Sequence, residues 1–123
     1  MTESHEKILV VDDEKHVRIL FERVLLKEGY QVECAASGSE AMDKLAKSSF
    51  DLVVTDLKMD GIDGLDLIKK GKRANEALPF ILISGYGTAQ TPVSAAKEGA
   101  DLYLMKPIEM TELRLAVKKA LRK

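Results

Sequence analysis

Six polar residues of this chain stand where they could act together: Asp12, Asp13, Glu14, Asp56, Ser84 and Lys106, the last followed by Pro107. Carboxylates brought into one pocket repel one another, so either some protonate or a cation joins them. An all-oxygen set with no imidazole or thiolate suits a hard ion, Mg²⁺ or Mn²⁺. A hard divalent ion beside an aspartate, a lysine and a serine matches the needs of phosphoryl transfer. One carboxylate attacks phosphorus and becomes an acyl phosphate, while the metal and the ammonium offset charge on the phosphoryl oxygens. The hydroxyl can bind a phosphoryl oxygen. Asp56 stands alone at the end of its run and is the best nucleophile candidate; adjacent Asp12 and Asp13 suit the metal.

These residues converge only if the chain makes them. Each group ends an apolar run: Ile8-Leu9-Val10-Val11, Leu52-Val53-Val54-Thr55, Phe80-Ile81-Leu82-Ile83 and Leu102-Tyr103-Leu104-Met105. Between the runs the apolar spacing becomes helical. Val17, Leu20, Phe21, Val24 and Leu25 recur at i, i+3, i+4, i+7 and i+8, and Gly29 stops that helix. The spacing predicts strands over about 7–12, 31–35, 50–55, 79–84 and 101–105. It predicts helices over about 38–47 (Ala41, Met42, Leu45 and Ala46 inward), 64–73 (Leu65, Leu67, Ile68), 91–98 and 109–122 (Leu113, Ala116, Val117, Ala120, Leu121). Met59 to Gly64 reads as a loop punctuated by Gly61 and Gly64, and Gly85-Tyr86-Gly87 as a flexible stretch. Thr91-Pro92 looks like an N-cap followed by proline at the first helical position. Gly71 falls inside the third helix, where glycine costs about 1 kcal/mol relative to alanine; that end is expected to fray. Five β-then-α units with short connections predict an α/β fold, a parallel sheet with helices on both faces. In such sheets ligands bind at the carboxyl ends of the strands, where the six polar residues lie.

Bulk composition narrows the class. A chain of 123 residues suits one domain, here the whole of 1–123. A net charge of -1 is no footprint for non-specific nucleic-acid binding. One cysteine, Cys34, permits no intrachain disulfide and reads as a small apolar strand residue. His16, one place before the helical stripe, reads as a solvated surface residue. No run is as long as a membrane span, and Met1 to Lys7 lacks the apolar core of a signal peptide. The expected location is the cytoplasm.

The set Asp12-Asp13-Glu14, Asp56, Ser84 and Lys106-Pro107 resembles the receiver domain of two-component response regulators, from about Lys7 to Leu121. Each motif is short; their order along the chain, each at a strand end, makes the resemblance specific. It implies a flavodoxin-like fold with strand order 2-1-3-4-5. It implies that Asp56 accepts a phosphoryl group from the phosphohistidine of a sensor histidine kinase or phosphotransfer protein. Asp13, Asp56 and the Lys58 backbone carbonyl would coordinate Mg²⁺, with Asp12 acting through water. Lys106 would pair with the phosphoryl group, Ser84 would turn toward it, and Tyr103 would move inward as an aromatic switch. The output would be a domain attached to the receiver, a downstream protein, or a phosphorylation-dependent homodimer, with no direct contact to nucleic acid or membrane. The physical logic is that a phosphoryl group adds about two negative charges, which bias a two-state element.

The chain departs from the family pattern in places. Many receivers carry Met-Pro-Gly after the phosphoacceptor; here it is Met59-Asp60-Gly61. Asp60 is either a tolerated loop substitution or a charge that alters metal affinity or phosphoryl lifetime. Lys58 either covers the phosphoryl group or points into solvent. Pro92 would shorten its helix and stiffen the switch segment. Leu115, opposite the buried stripe of the last helix, is either an ordinary exposed leucine or part of a partner surface. Gly85-Tyr86-Gly87-Thr88 resembles receivers attached to transcriptional activators, and Lys123 falls where an output domain would begin. Two other functions fit less well. A Mg²⁺-dependent phosphohydrolase would want an acid two residues past its nucleophile and a cap insertion; this chain has Leu57-Lys58 and no insertion. A flavin module would want a phosphate cradle where the carboxylates stand.

Overall fold

The computed structural model describes residues 6–59, 63–85 and 99–122. The expectations at Asp60, Gly61, Tyr86 to Thr88, Pro92 and the 91–98 helix lie outside these residues. Five strands form one parallel sheet: β1 (Lys7–Val11), β2 (Gln31–Ala35), β3 (Leu52–Asp56), β4 (Phe80–Ser84) and β5 (Leu102–Met105). Their order is β2-β1-β3-β4-β5, the flavodoxin-like arrangement the resemblance implied. The described helices are α1 (Lys15–Lys27), α2 (Gly38–Lys47), α3 (Gly64–Ala74) and α4 (Met110–Arg122).

Alternation along the strands divides the core into two halves. Leu9, Val11, Val53, Phe80 and Leu82 face one side, with Ala41 of α2 and Leu67 and Ile68 of α3. Ile8, Val10, Leu52, Val54, Ile81 and Ile83 face the other, with Phe21 and Leu25 of α1 and Leu113, Ala116, Val117 and Ala120 of α4. β3 and β4 are buried along their whole length. That burial explains why these runs are continuously apolar rather than alternating.

Three sequence expectations change. Leu20 is 43% exposed: α1 rests on Phe21 and Leu25, with Val17 and Val24 flanking, so its seated face is narrower than the apolar stripe. Ala46 is exposed rather than inward, because α2 meets the core through Ala41, Met42 and Leu45. The expected weak end of α3, around Gly71, is hydrogen-bonded and packed. The helix runs to Ala74, and the Asn75 N–H donates to the Gly71 carbonyl at 2.9 Å. Gly71 is buried against the Phe80 ring, which a Cβ there would overlap. The glycine is a packing requirement, not a weak point. Gly29, with φ +96, ends α1 in the left-handed conformation as expected.

Candidate functional site

The chain leaves β1 after Val11, and the Asp12 N–H still donates to the Ala35 carbonyl of β2 at 3.1 Å. Asp12 Oδ1 then accepts from the Glu14 N–H at 2.9 Å, a local turn that aims the chain into α1. Asp12 is 2% exposed, whereas Asp13 and Glu14 face solvent. Asp56 is the last residue of β3, in register with Ile83. Its carbonyl accepts from Thr55 Oγ1 at 3.0 Å. Next to it the Leu57 N–H donates to the Ile83 carbonyl at 2.7 Å, and the Gly64 N–H donates to the Leu57 carbonyl at 2.9 Å. A Cβ at Gly64 would overlap the Asp56 carbonyl oxygen, so only glycine lets α3 start this close to the strand end. Ser84 closes β4, fully buried, with Oγ 3.3 Å from the Gly85 carbonyl. The Lys106 N–H donates to the Ser84 carbonyl at 2.8 Å, which ties β5's exit to β4. The Lys106-Pro107 peptide is cis.

These exits bring four of the residues, Asp12, Asp13, Asp56 and Lys106, close to one another. One carboxylate oxygen from each of Asp12, Asp13 and Asp56 lies within 4.8 Å of the others. Lys106 Nζ reaches Asp56 Oδ1 at 3.3 Å. Burial, then repulsion from Asp12, pushes the Asp56 carboxyl from 3.8 up to about 6, against the opposing pull of Lys106. Burial also raises Asp12, although the Glu14 N–H favours its charged form. For Lys106, burial disfavours the ammonium, but Asp56 and Asp12 outweigh it and its pKa rises. One ammonium thus faces three carboxylates, two of them buried and proton-hungry. That donor set fits a hard divalent cation, which would supply the missing charge and accept oxygen ligands.

The comparisons with known proteins agree with this geometry. A family model for the response regulator receiver domain matches residues 8–118. The chain belongs to that family. The receiver is 40% identical over 117 residues to sporulation initiation phosphotransferase F of Bacillus subtilis, covering 95% of this chain and 94% of that relative. It is 36% identical to the transcriptional regulatory protein ZraR of Escherichia coli, where it covers 98% of this chain but only 27% of the relative. In structure it resembles a response regulator receiver domain protein from Clostridium thermocellum, with a TM-score of 0.89, 32% identity, and coverage of 95% and 94% of the two chains.

The receiver places the remaining expectations as follows. Tyr103 is half-buried on β5 and packs against the α2/α3 side of the core. Lys58 is exposed just past β3. His16 is a surface residue, 3.8 Å from Glu14. Cys34 is half-buried beside the α1/α4 side of the core, and burial raises its thiol pKa. Leu115 is 61% exposed. Among the described residues, no helix is long and apolar enough to cross a membrane.

Sequence reasoning missed two contributors. Gly64 reads as loop punctuation, since its close approach to Asp56 is invisible without the fold. Arg18 gave no signal, because a charged residue on an amphipathic helix normally faces water. Here its Nη1 donates to the Asp12 carbonyl at 2.7 Å.

Proposed function

We propose that Asp56 is the phosphoacceptor of this receiver. The observation that carries the reading is the buried Asp56 carboxylate, paired with Lys106 at 3.3 Å and clustered with Asp12 and Asp13. An Asp56 oxygen attacks the phosphorus of a phosphohistidine on a sensor histidine kinase or phosphotransfer protein. The P–N bond breaks and an acyl phosphate forms on Asp56. Asp13, Asp56 and the Lys58 carbonyl, with Asp12 through water, would hold Mg²⁺, or Mn²⁺ in its place. The bound ion supplies positive charge against the phosphoryl oxygens. Asp56 must be ionised to attack, and Lys106 favours that form across the 3.3 Å contact. Once the phosphoryl group is in place Lys106 pairs with it.

Ser84 and Tyr103 form the switch in this reading. Ser84 lies at the end of β4, one residue before Gly85, and a hydroxyl there gains a charge-assisted hydrogen bond by turning toward phosphate. Tyr103 sits in register with Leu82 on the neighbouring strand, partly buried against the core, and in this reading moves inward with Ser84. The change is read by an attached output domain, a separate downstream protein, or a second copy of the receiver. The chain acts as one phosphoacceptor unit with self-catalysed phosphorylation and dephosphorylation, and has no external substrate to turn over. We place the exchange in the cytoplasm, the location expected from the sequence.

The test is intact-mass spectrometry after incubation with Mg²⁺ and a small acyl phosphate donor. One added phosphoryl group is expected in the parent and none in Asp56→Asn. No adduct on the parent, or an equal adduct on the variant, would refute the assignment.

A further inference from the structure

Asp12 is fixed at three points. Its N–H donates to Ala35 of β2 at 3.1 Å. Its Oδ1 accepts from the Glu14 N–H at 2.9 Å. Its carbonyl accepts from Arg18 Nη1 at 2.7 Å. The first two belong to the strand exit and the turn. The third comes from the first turns of α1, whose Arg18 N–H also bonds the Glu14 carbonyl at 3.2 Å. From β2, Cys34 Sγ approaches the Arg18 carbonyl at 3.9 Å, a weak third tie. Arg18 therefore connects the end of β1 to α1 through its side chain and backbone together.

The carbonyl of Asp12 belongs to the planar peptide that joins Asp12 to Asp13. Holding that oxygen restrains rotation of the plane, and so limits the backbone dihedrals on either side of it, from which the Asp12 and Asp13 side chains leave. Among the described residues, Arg18 makes no ion pair with Asp12, Asp13 or Asp56; Lys106 supplies the ammonium there. A guanidinium on a neutral carbonyl leaves the carboxylate oxygens open to a cation. We infer that Arg18 is a positioning residue for the metal site, holding the Asp12-Asp13 peptide so that both carboxylates converge with Asp56.

This inference rests on the reading of the site as a divalent-cation site, and its sign separates it from simple electrostatics. A positive charge near an acidic pocket opposes a second cation, so deleting Arg18 would tighten Mg²⁺ binding if charge alone mattered. Positioning demands the reverse. Partners that orient metal ligands typically contribute about 10- to 100-fold in affinity, and one hydrogen bond to a backbone carbonyl belongs at the low end.

The experiment is calorimetric titration of the unphosphorylated protein with Mg²⁺, for the parent, Arg18→Ala and Arg18→Lys, with thermal unfolding in a metal chelator alongside. Arg18→Ala is expected to bind Mg²⁺ about 10-fold more weakly, with Arg18→Lys between it and the parent because lysine keeps a donor on a shorter reach. A purely structural role would lower the unfolding temperature and leave the affinity of the folded protein alone. Affinity within twofold of the parent, or tighter, overturns the inference. If Arg18→Ala does not fold, Arg18→Lys decides by the same criterion. A parent that binds no Mg²⁺ overturns the cation-site reading, and the inference with it.

Discussion

The crowding of carboxylates that suits the site to a cation should cost the metal-free fold stability, and Asp56→Asn exposes that cost. Asp56 has its carboxyl raised from 3.8 to about 6 by burial first and Asp12 second. The folded state thus holds this proton more tightly than the unfolded chain. Stability from this group is present in full below the unfolded value near 4, is lost as pH rises toward 6, and stays lost at neutral pH. A rise of that size corresponds to about 3 kcal/mol. The side chain is only 9% exposed, so solvent screens little of it. Asparagine has nearly the same shape and no charge. In chelator at pH 7.5, Asp56→Asn should be more stable than the parent by about 2–3 kcal/mol, on the order of 10 °C in Tm for a domain of this size. At pH 5 the gap should fall to about half, because the native carboxyl is then mostly protonated while the unfolded one is not. Urea titrations followed by far-ultraviolet circular dichroism measure this directly, since the chain has no tryptophan. An asparagine variant no more stable than the parent at pH 7.5, or a gap that does not narrow on acidification, would refute the reasoning.

Other contacts make separate predictions. Gly71→Ala should destabilise the fold by about 1–3 kcal/mol in denaturant titrations, because the Phe80 ring occupies the Cβ position, although alanine is the better helix former by about 1 kcal/mol. Asp101→Ala should cost about 1–3 kcal/mol, since Asp101 Oδ2 accepts from the buried Phe80 N–H at 2.8 Å and from Lys72 Nζ at 3.1 Å; equal urea midpoints would argue against it. Lys106→Met should push the Asp56 carboxyl higher still, seen as a later titration of its carboxyl carbon by NMR, and should slow phosphoryl uptake at least 10-fold in the mass assay.

Much of the fold was legible because burial leaves a local record. β1, β3 and β4 are continuous apolar runs for the same reason that they are covered on both faces. The helical stripes of α1 and α4 mark the sides that meet the sheet. Where the pattern misled, the cause was a neighbour distant in sequence. Leu20 carries the spacing of a core residue, but α1 seats on Phe21 and Leu25. Gly71 looks like a helix defect until the Phe80 ring is set against it.

The sequence alone determined the chemistry available: which carboxylates, hydroxyl and ammonium end the strands, and that parallel strands would deliver them to one edge. Residue type and strand period are properties of the chain, so they could be read from it. Tertiary structure decided how near these groups come and what holds them. The 3.3 Å pair of Lys106 with Asp56, the glycine that lets α3 begin against the Asp56 carbonyl and the reach of Arg18 back to Asp12 depend on how separate elements pack. Burial, which lifts Asp56 to about 6, arises only when those elements close over it. The physical reason is that desolvation and Coulomb interaction depend on distances through space, and separation along the chain does not encode them.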